Sequence, residues 1–457
     1  MKKKFIALLL CLAMVGVLAA CGSSSSDTTT AAPAETTAAE ETTAAEGGEE
    51  TTAAEGGEET EAVEVETVEA KGSIKVGHLL DLTGVEKITG DIAHEAFTFA
   101  CEYVEKTTGW HIEVVEGDCQ SDSDKAQSQA EQMISQGCQV IFGPTQIGHK
   151  KSVLGISTIP VVLYNGSPSA FTGGMLFPND YIVALGGGTA GFPTVMADYL
   201  YNDIGLRTVY CFKQETVGGN NYVDPFVTCF EALGGTVVDN IAVAQGTNDW
   251  SGYVTTMMNS DAEAIVGWTS SSDTIAFYKE WYNSGAYEKL PVYATMHGGF
   301  ADSYIMDELD SKIVDALIDG GLCAPICYAY SVDNAYNKTY AAAYEAELGH
   351  RPIGNNLAGS CCQALLCLTT ALDDLGVTDP TTLTPDDLAN AMRAAEFDGP
   401  EGHTVFEGDT VVATKDVYVV NTVKMDDGSY NYEVVKTYEQ VSPDGYNYDP
   451  ANDAYIG

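Results

Sequence analysis

Residues 138–170, CQVIFGPTQIGHKKSVLGISTIPVVLYNGSPSA, constrain the fold more than any other stretch. Two short apolar runs, Val140–Ile141–Phe142 and Ile159–Pro160–Val161–Val162–Leu163, each break abruptly into small polar residues. Gly143–Pro144–Thr145–Gln146 follow the first run and Tyr164–Asn165–Gly166–Ser167–Pro168 the second. Strands buried on both faces read as continuous apolar runs, and open α/β sheets bind ligands beyond the carboxyl ends of their strands. Two neighbouring strands ending in small donors and acceptors therefore predict a rim for a small polar solute. The same residues also describe two ordinary strand-to-helix turns with Thr and Ser as N-caps. The stretch alone does not choose between these readings.

Its surroundings repeat the pattern. Ile74–Leu80 and His111–Glu116 read as strands, and residues 91–108 and 124–136 as helices with apolar positions at helical spacing. Strand–helix alternation with short turns demands a parallel sheet with right-handed crossovers. The alternation restarts at Thr208–Phe212 and runs through Tyr222–Leu233, Thr236–Ala244, Trp250–Met258, Ala264–Trp268, Thr274–Asn283 and Val292–Thr295, a second lobe of the same type. Gly320–Tyr328 reads as a returning strand, and Val332–Leu348 and Leu357–Leu375 as long helices. Residues 411–424 and 429–438 straddle Asp426–Asp427–Gly428, a hairpin signal.

The 457 residues suit two or three compact units. Formal net charge is -45, of which -35 falls after residue 71. Such a field repels nucleic acid and anionic lipid headgroups, so neither is an expected partner. Lys2–Lys3–Lys4, the apolar run Phe5–Val17 and Leu18–Ala19–Ala20–Cys21 have the layout of a cleavable export signal. The run is too short to span a bilayer. Residues 22–70, repeats of Thr-Thr-Ala-Ala-Glu and Glu-Gly-Gly-Glu-Glu, carry too little apolar mass to fold and read as an extended tether. Beyond Cys11 and Cys21, ten of the twelve cysteines remain, with no CxxC pair and no zinc spacing. Several sit inside apolar runs, where buried free thiols are expected.

The ending Leu18–Ala19–Ala20–Cys21 resembles the lipobox of bacterial lipoproteins, in which the cysteine is diacylated and becomes the new N-terminus. From residue 72 to 440 the chain resembles, in order, the type I periplasmic binding proteins, in particular the branched-chain amino acid and amide group serving ABC importers. The matching segments include IKVGHLLDLTG, GDCQSDSDKAQSQAEQMISQGCQVIFGP, IPVVLYNGSPSA, LFPNDY and NDWSGYVTTMMNSDAEAIVGW. The resemblance implies an α/β fold of two Rossmann-like lobes with parallel sheets, joined by three crossover strands and closing over a solute. It implies a signal peptide at 1–20, a lipidated Cys21 opening a tether at 21–71, an N-terminal lobe at 72–190 and 320–405, and a C-terminal lobe at 191–319 and 406–457. Carried over by position, ligand contacts fall at Thr145, Gln146, Asn165, Gly166 and Ser167 in the first lobe. In the second they fall at Thr216 and Val217, Trp268, Thr269 and Ser270, and Met296 and His297. The amino-acid binders place an acid after the last of these strands to meet the ligand's ammonium, whereas this chain reads Thr295–Met296–His297–Gly298–Gly299. Glu215 and Asp273 are the candidates to supply that charge.

His297, flanked by glycines after a strand end, reads either as a ligand contact or as a structural turn histidine. Trp268 is either an aromatic wall or a core residue, and Tyr164 either underlies the ligand or belongs to the core. Catalytic patterns are thin: His94–Glu95 lacks the second histidine of HExxH, Gly186–Gly187–Gly188 lacks the Lys-Ser/Thr of a phosphate loop, and no G-x-S-x-G occurs. The expected function is that of a lipid-anchored, extracytoplasmic solute-binding protein of an ABC importer. It would be a monomer without cofactor or metal, capture a branched-chain amino acid, amide or related small molecule by hinge closure, and dock on permease subunits. The alternative is a module presenting the solute to a histidine kinase or chemoreceptor.

Overall fold

The computed structural model describes residues 65–84, 86–166, 181–186, 190–408, 410–446, 448–449 and 454–455. Ser167, Cys21, the signal segment and nearly all of the tether lie outside the described residues.

The first sheet carries β1 (Gly72–Leu80), β2 (Trp110–Asp118), β3 (Val140–Phe142), β4 (Val161–Leu163) and β5 (Ile182–Ala184), in the spatial order β2-β1-β3-β4-β5. Every pairing in it is parallel. Its helices are α1 (Lys87–Thr108), α2 (Ser123–Ser135) and α3 (Ile147–Ile156). On α1 the residues Ala93, Ala96, Phe97, Ala100 and Val104 recur at helical spacing and are buried, and Gly109 in the left-handed region closes the helix on Glu105 O. After α4 (Gly191–Asp198) come β6 (Thr208–Gln214), α5 (Val217–Ala232), β7 (Thr236–Val243), α6 (Ser251–Met258), β8 (Ala264–Trp268), α7 (Ser271–Asn283) and β9 (Val292–Ala294). They form a second parallel sheet, ordered β7-β6-β8-β9. The remainder runs α8 (Ser303–Asp307), α9 (Ser311–Asp319), β10 (Cys323–Ile326), α10 (Ala335–Leu348), α11 (Leu357–Leu375), α12 (Pro385–Ala394), β11 (Phe397–Gly399), β12 (Gly402–Val405), β13 (Thr414–Lys424) and β14 (Tyr430–Val441). Its strands make an antiparallel third sheet, β10-β13-β12-β11, with β14 on β13.

Packing divides the chain into two lobes. One apolar cluster joins the first sheet and α1 to Tyr328, α10, α11 and residues up to Ala413. Two others cover the second sheet and recruit Cys323, Val417, Val419 and Tyr438. Among the described residues the chain therefore changes lobe three times, near residues 185–192, 324–328 and 413–417. Helix α11 is apolar all round because it is sunk in the first lobe, with fifteen of its nineteen residues buried. Nine of the ten described cysteines are buried free thiols, and Cys101 is half-buried.

Three helices begin three or more residues earlier than their apolar spacing predicts, α1 among them at Lys87 rather than residue 91. Helix α5 starts at Val217 rather than Tyr222, because Thr216 caps it by accepting from Gly219 N at 3.1 Å. A glycine is required there: a Cβ on Gly219 would lie 2.0 Å from Gln214 O. Helix α7 starts at Ser271 rather than Thr274. Helix α12, with its Thr384–Asp387 capping box, and the short β5, β11 and β12 carry too little apolar pattern to stand out in the sequence.

Candidate functional site

A cavity of about 510 Å³ opens between the carboxyl ends of the two parallel sheets. Strand ends deliver its lining. Beyond β3 the chain turns at Gly143, whose φ of +95° and close approach to Leu79 O leave no room for a Cβ. Thr145 and Gln146 follow on the cavity wall. The Thr145 hydroxyl donates to Asp81 Oδ2 at 3.4 Å, and Gln146 caps α3 by accepting from Gly148 N at 2.9 Å. Beyond β4 come Asn165 and Gly166, with Asn165 Nδ2 donating to Thr145 O at 3.2 Å. Behind them the fully buried Lys150 ammonium, pushed down to about 7 by burial, donates to Asn165 O.

The second lobe contributes Gln214 and Thr216 after β6, Trp268 and Ser270 after β8, and Met296 to Gly299 after β9. Trp268 packs edge-on against Tyr222, centroids 5.1 Å apart, and its indole N–H donates to Gly298 O at 2.7 Å. It is an aromatic wall of the cavity. Of the positions singled out from sequence, Thr145, Gln146, Asn165, Gly166, Thr216, Trp268 and His297 are brought together here, as are Val217, Ser270 and Met296.

The expectations at Thr269, Glu215 and Asp273 need correction. Thr269 does not line the cavity. Alternation along the chain turns it inward, where its hydroxyl pairs with that of Thr274 at 2.9 Å. Glu215 is exposed away from the cavity. Asp273 is buried and spent on Gln214 Nε2 and Gly246 N, at 2.9 and 2.8 Å. Tyr164 is core: it is wholly buried, with its hydroxyl 2.8 Å from His78 Nε2.

Sequence reasoning missed the acids that do reach the cavity, Glu86 and Asp302, as well as Asn355 and Asn356. Asp302 accepts from Gly299 N at 2.8 Å and from the Tyr432 hydroxyl at 3.3 Å. Burial raises its carboxyl above the ordinary value, against the opposing pull of His297 and these hydrogen bonds. His297 is buried, with Nδ1 3.1 Å from Pro325 O and Nε2 3.2 Å from Asn356 Oδ1. A signal for the missed residues exists: each stands immediately before, or at, the start of a helix.

That placement sets the electrostatics. Glu86, Gln146, Thr216, Ser270 and Asn356 occupy the N-cap positions of α1, α3, α5, α7 and α11, and all five line the cavity. Only Gln146 and Thr216 spend their side chains capping their own helices. Five helix N-termini thus point partial positive charge at one space, which favours an anionic group. Among the described residues no lysine or arginine lines it. Nor does any group of three His, Cys, Asp or Glu stand where it could hold a metal.

The family model of the periplasmic binding proteins matches residues 73–429. The chain belongs to that family. Its matches include a Leu/Ile/Val-binding protein homologue from Brucella suis, 21% identical over 359 residues that cover 76% of this chain and 86% of that protein. Among solved structures, an ABC transporter substrate-binding protein from Sphaerobacter thermophilus superposes with a TM-score of 0.68 at 22% identity, covering 80% of this chain and 98% of its own. A solute-binding protein of an ABC transporter from Rhodopseudomonas palustris, in complex with 3,4-dihydroxybenzoic acid, gives 0.68 at 21%, covering 83% and 99%. A leucine-binding protein from Thermotoga maritima gives 0.62 at 20%, covering 80% and 99%. The fold of this periplasmic binding protein is accordingly the type I arrangement of two α/β lobes.

Proposed function

We propose that the chain is the lipid-anchored, extracytoplasmic solute-binding protein of an ABC importer, and that its solute is a small carboxylate. The observation that carries this reading is the convergence of five helix N-termini, from both lobes, on one cavity of a size typical for small ligands. The carboxylate is held by N-terminal backbone amides with Thr145, Asn165 and Thr216, and an apolar body rests on Trp268, Tyr222 and Met296. Ser167, next in sequence after Gly166 and outside the described residues, is proposed as a further contact. Because the solute touches both lobes only when they approach, binding shifts the hinge toward the closed form, which docks on the permease. Lipid attachment rests on the small-small-Cys ending at Cys21 after a basic and an apolar segment; among the described residues no helix is long and apolar enough to cross a membrane.

The test is a thermal-shift series on the folded part with leucine, benzoate, 4-hydroxybenzoate, acetamide and urea. A ligand at about 100 times its dissociation constant adds roughly 2.7 kcal/mol of stability. At least one carboxylate should raise the melting temperature, and the neutral amides should not. A shift with acetamide or urea alone would overturn the carboxylate assignment.

A further inference from the structure

A buried chain of polar groups runs from the cavity to the segments that link the lobes. His297 Nε2 faces Asn356 Oδ1 at 3.2 Å, and Asn356 Nδ2 donates to Ser360 Oγ at 3.1 Å. Ser360 Oγ donates to Glu401 Oε1 at 2.5 Å, and Glu401 Oε2 receives the Lys415 ammonium, which also donates to Leu185 O at 2.6 Å. Glu401 and Lys415 are essentially without solvent exposure. Burial alone would discharge Lys415, but the Cys327 sulfur and the Glu401 carboxylate beside it keep it in the charged form.

The direction of each hydrogen bond follows from the end of the chain. A carboxylate paired with an ammonium only accepts, so Ser360 must give its single proton to Glu401. Ser360 Oγ can then only accept from Asn356, which obliges the amide to present Nδ2 to Ser360 and Oδ1 to the histidine. An amide oxygen accepts, so His297 Nε2 must carry a proton. Nδ1 faces the carbonyl of Pro325, which also only accepts, at 3.1 Å. Both ring nitrogens therefore need protons.

We propose that the buried Glu401–Lys415 pair, acting through Ser360 and Asn356, holds His297 as a doubly protonated ring, so that the solute cavity contains a fixed cation. Of the groups around the ring, the Asp302 carboxylate interacts with it electrostatically and Phe192 packs perpendicular to it with centroids 5.9 Å apart. Glu86 is the other acid lining the cavity. Both N–H groups are consumed within the protein, so His297 gives the solute charge rather than a hydrogen bond. It adds to the five helix N-termini in selecting an anionic end, while Asp302 limits the excess. Ser360, Asn356 and Glu401 are then positioning residues that set a charge they do not themselves present to the solute.

The experiment is nitrogen-15 NMR of the histidine side chains in the solute-free protein at neutral pH, with His297 assigned from His297→Gln. The wild-type ring should show two protonated nitrogens. Ser360→Ala removes the hydroxyl that fixes the amide, so Asn356 can turn and donate to Nε2. The ring should then appear as the neutral Nδ1–H tautomer. Glu401→Leu combined with Lys415→Met removes the acceptor for Ser360 without leaving an unpaired charge and should give the same change, and circular dichroism checks that both variants fold. A neutral wild-type ring, or a doubly protonated ring that persists in Ser360→Ala, overturns the proposal. The measurement uses no solute, so its failure leaves the solute-binding reading standing, and an unresponsive ligand panel leaves this one standing.

Discussion

Asn165 shows how a cavity residue is held before it meets a solute. Its carbonyl takes the Lys150 ammonium and its amide donates to Thr145 O, which fixes the loop after β4. Asn165→Ala should weaken solute binding by about 1 to 3 kcal/mol, the cost of leaving buried polar partners unmatched. Thr269→Ala, one residue beyond the cavity wall, should leave affinity within about twofold because its hydroxyl serves Thr274 instead. Isothermal titration with whichever carboxylate gives the largest thermal shift compares the two. Most of the wall was legible in the sequence at this scale, since small polar residues after apolar runs mark strand ends. Asp302 and Asn356 were not: nothing in their local spacing distinguishes an N-cap facing a cavity from one facing water.

At the scale of single elements, the buried thiols make the alkaline behaviour predictable. On α5, Cys229 lies against α4, and burial raises its thiol from 9.0 to about 12. In the unfolded chain the thiol ionises near pH 9, whereas the folded chain keeps its proton until about pH 12. The unfolded state therefore releases its proton first. The contribution of Cys229 to stability is complete below pH 9 and is lost as pH rises from 9 toward 12. Urea unfolding on either side of pH 9 should show a smaller alkaline loss in Cys229→Ala than in the wild type. The elements themselves followed from apolar periodicity where they were long, as in α1 and α11. Where glycine and polar residues open a helix, as in α5, the cap and not the apolar stripe sets the boundary.

For the whole molecule, the decisive contact is the Glu401–Lys415 pair, because Lys415 on β13 also reaches the carbonyl of Leu185 at the end of the first sheet. One buried ion pair thus ties two of the three linking segments together. Lys415→Met alone should lower stability by about 3 to 5 kcal/mol in urea unfolding, since it strands a buried carboxylate. Adding Glu401→Gln should recover much of that loss, because the uncompensated charge is then gone. Equal stability of the single and double variants would mean that packing, not charge, dominates at this position.

The sequence by itself determined the two parallel α/β lobes, the returning helices, the hairpin near the end and the strand ends that face the cavity. These are consequences of local periodicity and of where apolar runs stop. Only the tertiary structure decided which acid reaches the cavity and what surrounds His297. Those facts depend on residues far apart in the chain, such as His297, Pro325, Asn356 and Glu401, whose meeting is fixed by how the lobes pack and not by any spacing within a segment.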